Sequence, residues 1–202
     1  MAQIRRKGMI LIISGPSGSG KGTLIKKLMA CDPSICFSCS VTTRAPRPGE
    51  VEGTHYYFVD DAEYHRLQQQ GAFLESANVH GHNYGTLWSE VQERLDKGLN
   101  VLLDIDPQGA GKVMQTVTEY VSIFILPPSL ETLRVRLHTR NTEDEAEIER
   151  RLNNARGEIK TVSLYQYALI NDDLELAFVQ LQTIVNAEKH RTIRFFPSIP
   201  EE

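Results

Sequence analysis

Short continuous apolar runs alternate along this chain with stretches whose apolar positions recur every three or four residues. Residues 9–13 are apolar throughout and rich in β-branched side chains, the pattern of a strand buried on both faces of a parallel sheet. Residues 101–106 and 121–126 repeat that signal, and 168–171 give a shorter version of it. Helical periodicity runs over 24–29, 88–97, 130–138, 143–159 and about 172–189. Ser129 is placed to cap the helix after Pro127 and Pro128, and Asp172 or Asp173 to open the last one. Strands that alternate with helices predict an α/β fold with a mainly parallel central sheet.

The pattern changes between residues 35 and 86. Short strands are predicted over 36–41 and 55–59, a helix capped by Asp60 or Asp61 runs to about residue 70, residues 73–80 alternate, and 81–85 reads as a turn. Residues 42–49 are a basic, proline-punctuated loop. The segment 35–86 is therefore expected to be a small β-rich insertion. The core is expected to comprise 1–34, 87–135 and 156–190, with a charged helical segment at 136–155 and a frayed tail over 191–202.

Composition narrows the function classes. The 202 residues suit one core with subdomain-sized insertions, and 41% hydrophobic with 24% charged residues is ordinarily globular. A net charge of −4 lacks the basic excess of a duplex nucleic-acid binder. No apolar run approaches the roughly 20 residues that cross a bilayer, and 5–16 lack the core and cleavage site of an export signal. No nucleic-acid or membrane partner is expected, and the cytoplasm is the expected location. Three cysteines, an odd number, argue against a disulfide framework; Cys36 and Cys39 stand in a C-x-x-C spacing without the second pair that zinc needs.

Gly15, Pro16, Ser17, Gly18, Ser19, Gly20 and Lys21 fit G-x-x-x-x-G-K between a predicted strand and a predicted helix. Glycines let backbone N–H groups turn toward a phosphate, the helix start adds partial positive charge, and Lys21 adds a full one. The usual pattern continues with a Ser or Thr that ligates Mg²⁺. Gly22 stands there instead, followed by Thr23, which leaves Mg²⁺ to be held mainly by phosphates and water. Adenylate kinases share this G-K-G-T run.

A phosphate loop specifies a nucleoside triphosphate and not the acceptor. Ser40, Val41, Thr42, Thr43, Arg44, Ala45, Pro46, Arg47, Pro48, Gly49 and Glu50, then Gly53 to Tyr56, resemble the signature of guanylate kinases. So do Phe73-Leu74-Glu75, Tyr84-Gly85-Thr86 and Asp104-Ile105-Asp106-Pro107-Gln108-Gly109. The resemblance spans about residues 8–190 and implies a P-loop kinase fold that moves the γ-phosphoryl group of ATP onto GMP or dGMP, with Mg²⁺. Two arginines three apart on a proline-stiffened loop can clamp a phosphate dianion. By the resemblance, Arg44, Arg47, Tyr56 and Tyr84 hold the GMP phosphate. Guanine offers N1–H and N2–H₂ as donors and O6 as acceptor, and the resemblance gives the donors to Glu75 and Asp106, and O6 to Ser40 and Thr86. It also makes 35–86 the GMP-binding subdomain and 136–155 the lid.

Asp104 and Asp106 project to one side of a strand by its period of two, at the strand end where open α/β sheets bind ligands. Asp104 is assigned to the Mg²⁺ shell through water, and one of the pair could instead cap the helix that begins near Gln108. Thr23 is the second metal candidate. Arg136 and Arg140, at i and i+4, share a helical face, and with Arg151 they resemble the lid arginines that close over transferring phosphate. With Lys21 and Arg44 these form the candidate catalytic set. Asn171, after the last strand, resembles the segment near the adenine of ATP.

Two other functions fit parts of this pattern. A non-catalytic guanylate-kinase-like module would bind phosphopeptide, but Lys21 and its glycines speak against that. A kinase for another phosphorylated small molecule, such as a ribose bisphosphate, would not need the guanine set.

Overall fold

The structure is a computed structural model, and it describes residues 3–79, 81–138 and 145–198. Five parallel strands form the central sheet. They are β2 (Ile10–Ser14), β3 (Ile35–Phe37), β8 (Asn100–Asp104), β9 (Tyr120–Leu126) and β10 (Tyr167–Ile170), in the order β10-β9-β2-β8-β3. β2 lies in the middle and is buried at every residue. Its side chains alternate between the faces, as strand geometry requires. Leu11 and Ile13 meet α1 (Lys21–Cys31) and α7 (Leu174–Lys189) through Leu24, Leu28, Phe178 and Leu181. Ile10 and Ile12 join Val91, Leu95 and Val113 from α3 (Trp88–Asp96) and α4 (Pro107–Thr116). Covering both faces is what makes the run at 9–13 apolar throughout.

A second sheet stands apart from the first. It holds β4 (Ser40–Thr42), β5 (Tyr56–Phe58), β6 (Phe73–Val79) and β7 (His82–Leu87), in the order β5-β4-β7-β6. Helix α2 (Asp61–Gln69) connects β5 to β6 and is capped by Asp60, whose carboxylate accepts from the Glu63 amide at 2.7 Å. The β-rich insertion is present, with two differences from expectation. The strand expected over 36–41 is two strands in two sheets, because the chain leaves β8 after Phe37 and pairs with β7 from Ser40. The turn expected over 81–85 shrinks to Gly81, whose φ of 81° closes a hairpin, and β7 starts at His82.

Two helices lie above the C-terminal end of the central sheet. α5 (Leu130–His138) and α6 (Glu145–Ile159) join through Leu133, Leu137, Ile148, Leu152 and Ala155. The Arg134 guanidinium reaches from α5 to Glu145 at 2.6 Å and to Glu149. Ser129 caps α5, its hydroxyl accepting from the Thr132 amide at 2.9 Å, and Asp173 caps α7. The frayed tail is corrected over 195–198. β11 (Phe195–Ser198) pairs antiparallel with β1 (Gln3–Arg6), a strand the apolar pattern did not indicate. Arg194, 3% exposed and bonded to Glu188 at 2.5 Å, anchors the start of β11.

Candidate active site

The phosphate loop leaves the end of β2 and is held by close backbone approach. A Cβ at Gly15 would lie 2.2 Å from the Ile125 carbonyl oxygen, so the loop touches β9 where only glycine fits. Gly20, at φ 87°, turns the chain into α1. The Lys21 ammonium forms an ion pair with Asp104 at the end of β8. Gly22 has open space beside it, and Thr23 is exposed. Pro16 closes a tight turn, its carbonyl accepting from the Ser19 amide at 3.0 Å.

The helical pair reaches down to this loop. Arg136 donates to the carbonyls of Asn171 at 3.0 Å and Ser19 at 3.5 Å. Arg151 donates to the Ser17 hydroxyl at 3.2 Å and also meets Glu147. Arg140 lies outside the described residues, as does Asn141. Asn171 is 4% exposed, and its side-chain amide donates to the Ser19 carbonyl at 2.8 Å. That amide binds the loop itself.

The second sheet presents one row of side chains. Register places Tyr56 beside Ser40, Ser40 beside Thr86, and Thr86 beside Glu75, across all four strands. Neighbours in such a row have Cβ atoms about 5 Å apart. An irregularity between Phe73 and Glu75 sets Glu75 in that register, the kind of bulge that re-aims a side chain. Tyr84, two residues before Thr86, shares the face. All five line a cleft of about 1130 Å³, together with Asp104, Asp106 and Gly109 of the core.

Glu75 is the polar centre of this wall. Thr86, 3% exposed, donates its hydroxyl to Glu75 Oε1 at 2.8 Å. Burial pushes the Glu75 carboxyl up, and the Asp106 charge adds to that, while the Thr86 bond and Lys112 pull it down. Asp106 is not on the strand, which corrects the expectation that it projects beside Asp104. β8 ends at Asp104, and Asp106 caps α4, its Oδ1 accepting from the Gly109 amide at 2.7 Å. Pro107 opens the helix at its first position, where its missing N–H is harmless.

Arg44 is outside the cleft lining but touches two residues of it, Tyr56 and Tyr84, with its guanidinium fully engaged. It donates to Glu50 at 2.8 and 3.0 Å, to Tyr84 Oη at 3.3 Å and to the Ala45 carbonyl at 2.8 Å, and it lies 5.5 Å over the Tyr56 ring. Glu50 also accepts from the Arg47 amide at 2.7 Å. Arg44 and then the Arg47 amide hold the Glu50 carboxyl below the usual range. The Arg47 side chain is exposed and is not part of the cleft lining.

Three residues here take no role from the sequence motifs. Glu50 stood inside the quoted signature without a function. Glu158, near the end of α6, is half-buried, and burial and the Asp106 charge push its carboxyl up while Lys21 pulls it down. It falls seven residues after Arg151, on the same helical face, which was the available signal. Tyr165 packs edge-on against Phe124 at 5.0 Å with its hydroxyl buried near Ser14. Among the described residues no group of three carboxylate, histidine or cysteine side chains forms a metal cage. Cys36 and Cys39 are free thiols.

A profile described as guanylate kinase matches residues 7–188. The chain belongs to the guanylate kinase family. A guanylate kinase from Caldanaerobacter subterraneus subsp. tengcongensis is 46% identical over 95% of this chain and 93% of its own length. One from Clostridioides difficile is 42% identical over 94% and 93%. The crystal structure of guanylate kinase from Anaplasma phagocytophilum superposes with a TM-score of 0.71 at 39% identity, covering 96% of this chain and 92% of that one. The family's α/β P-loop kinase architecture is the one described above. Among the described residues no helix is long and apolar enough to cross a membrane.

Proposed function

We propose that this guanylate kinase family member transfers the γ-phosphoryl group of ATP to GMP, giving ADP and GDP, in the cytoplasm. The observation that carries the reading is the row Tyr56, Ser40, Thr86 and Glu75, which faces Asp104 and Asp106 across one cleft, with Asp104 joined to Lys21 of the phosphate loop. The phosphate loop thus adjoins the cleft through the Lys21–Asp104 pair. Residues 35–86 serve as the acceptor subdomain and 136–155 as the lid.

In this reading Glu75 accepts from guanine N1–H and N2–H₂, Asp106 assists at the amino edge, and the Ser40 hydroxyl donates to O6, joined by Thr86 once its hydroxyl turns from Glu75. Adenine presents the reverse pattern and would leave the half-buried Ser40 and Glu75 unpaired. Arg44, Tyr56 and Tyr84 hold the GMP phosphate, and Arg47 joins them from its exposed position. The loop from Gly15 to Thr23 binds the triphosphate. Lys21, Arg136, Arg151 and Arg140 neutralise the charge that spreads over the transferring group, where an arginine contributes about 10³–10⁵ in rate. The GMP phosphate oxygen is itself the nucleophile, so catalysis rests on alignment, charge neutralisation and exclusion of water.

Bound with ATP, Mg²⁺ would supply charge neutralisation at the phosphates. The donors present suit an ion held mostly by phosphate and water. Gly22 offers no side-chain ligand, Thr23 is exposed, and Asp104 is the carboxylate paired with the loop lysine. Asp104 would hold the ion through water once Lys21 turns to the phosphates, with Thr23 a weaker candidate.

A coupled ADP-release assay with GMP, dGMP, AMP and UMP, with and without Mg²⁺, tests the reading. GMP and dGMP support Mg²⁺-dependent turnover, and AMP and UMP do not. Absence of GMP-dependent turnover would overturn it.

A further inference from the structure

Sequence resemblance sets Asn171 near the adenine of ATP, but its side chain is committed elsewhere. It sits directly after β10, 4% exposed, with its backbone amide donating to the Leu126 carbonyl at 2.8 Å. That bond ties it to the end of β9. Its side-chain amide donates to the Ser19 carbonyl at 2.8 Å, a contact across 152 residues of sequence. Its own carbonyl accepts from Arg136 at 3.0 Å, and Arg136 also reaches the Ser19 carbonyl at 3.5 Å. Three separate pieces of chain therefore meet at one knot: the phosphate loop, the last strand of the sheet, and the first lid helix.

The fit at this knot is close. A Cβ on Gly20 would lie 2.1 Å from the Asn171 amide nitrogen. Gly20 is thus required for a second reason besides its φ of 87°. Ser19 is fully buried, so its carbonyl has no access to water and depends on protein donors. A carbonyl fixed in direction fixes the peptide plane that follows it. The N–H of that plane belongs to Gly20, in the stretch that would face the triphosphate.

We infer that Asn171 is a positioning residue that sets the phosphate loop and delivers Arg136 to it, and that it does not read the adenine base. The inference rests on the kinase reading for the identity of the ligand but not for its test. A group that reads adenine affects only adenine nucleotides. A group that holds the loop affects every ligand that places phosphates there.

The experiment compares wild-type protein with Asn171→Ala and Asn171→Asp, in the presence of saturating GMP, by titration with ADP and with inorganic tripolyphosphate. Removing a donor to a buried carbonyl weakens loop-dependent binding by roughly ten- to a hundredfold. Both ligands lose affinity by the same factor in both variants. Asn171→Asp keeps the volume but replaces the donated bond with an acceptor, so loss in that variant separates positioning from packing. Affinity for GMP and the thermal midpoint, measured on the same samples, show whether the variants are folded; if Asn171→Ala unfolds, Asn171→Asp carries the test. Loss of ADP binding with tripolyphosphate unchanged would overturn the inference, and so would unchanged binding of both. Failure of the kinase reading shows separately, as absence of GMP-dependent turnover in the wild-type protein.

Discussion

Around Lys21 the chain offers backbone groups, held by packing. Gly15 lies against β9, Gly18 beneath Leu133 of α5, and Gly20 against Asn171. Around Arg44 and Glu75 it offers side chains from four strands, held by one another. Arg44 is aligned by Glu50 and Tyr84, and Glu75 by Thr86. A backbone cradle binds any phosphate and suits the part of a substrate common to all nucleotides. A wall of side chains discriminates, because each donor or acceptor can be matched or mismatched. On the proposed reading, the region that recognises charge alone is built into the central sheet, and the region that chooses a base sits on a small, separate sheet.

The sharpest way to break the contrast is Glu75→Gln. An amide keeps the shape but supplies one acceptor where guanine offers two donors. We expect kcat/KM for GMP to fall by about 10² or more, with ADP binding unaltered in titration. Glu50→Gln tests the support behind the wall and should do less. Weakening the pair to Arg44 raises KM for GMP by roughly tenfold, while KM for ATP stays within twofold. The smallest expected effect is on stability and has the opposite sign. Burial holds the Glu75 carboxyl above its ordinary range, so folding is favoured when it is protonated and loses that contribution as pH rises through the elevated value. Glu75→Gln is therefore more stable than wild type near neutral pH by thermal melting, and the gain disappears below the ordinary carboxylate range. A site that becomes more stable as it loses function carries the mark of a group retained for its ligand.

The same contrast explains what the sequence made legible. The phosphate loop is local, so Gly15 to Lys21 announced both its shape and its chemistry between two predictable elements. The strands β2, β8 and β9 were legible because burial on both faces leaves continuous apolar runs, whereas β10, at the sheet edge, buries Leu169 alone and leaves a shorter signal. The acceptor wall depends on register between strands up to 46 residues apart, from Ser40 to Thr86. No local pattern encodes that, and only resemblance to a family placed those residues together. Alternation alone carries Asp106 onto the strand, but β8 stops at Asp104 and Pro107 marks the helix start that Asp106 caps. β1 and β11 are short, with basic residues and Pro197, and carry no apolar alternation to read. Asn171 and Glu50 act through other residues, and neither the phosphate-loop pattern nor the resemblance points to a supporting group.

The central claim is that one carboxylate reads both donors of guanine. Inosine monophosphate keeps N1–H and O6 but lacks the 2-amino group, so it isolates half of that contact. The decisive measurement is kcat/KM for GMP relative to inosine monophosphate, with ATP and Mg²⁺. We predict that wild-type protein prefers GMP by about 10² and that most of this preference vanishes in Glu75→Gln. Equal use of the two acceptors by the wild-type protein, or an unchanged ratio in Glu75→Gln, would contradict the account.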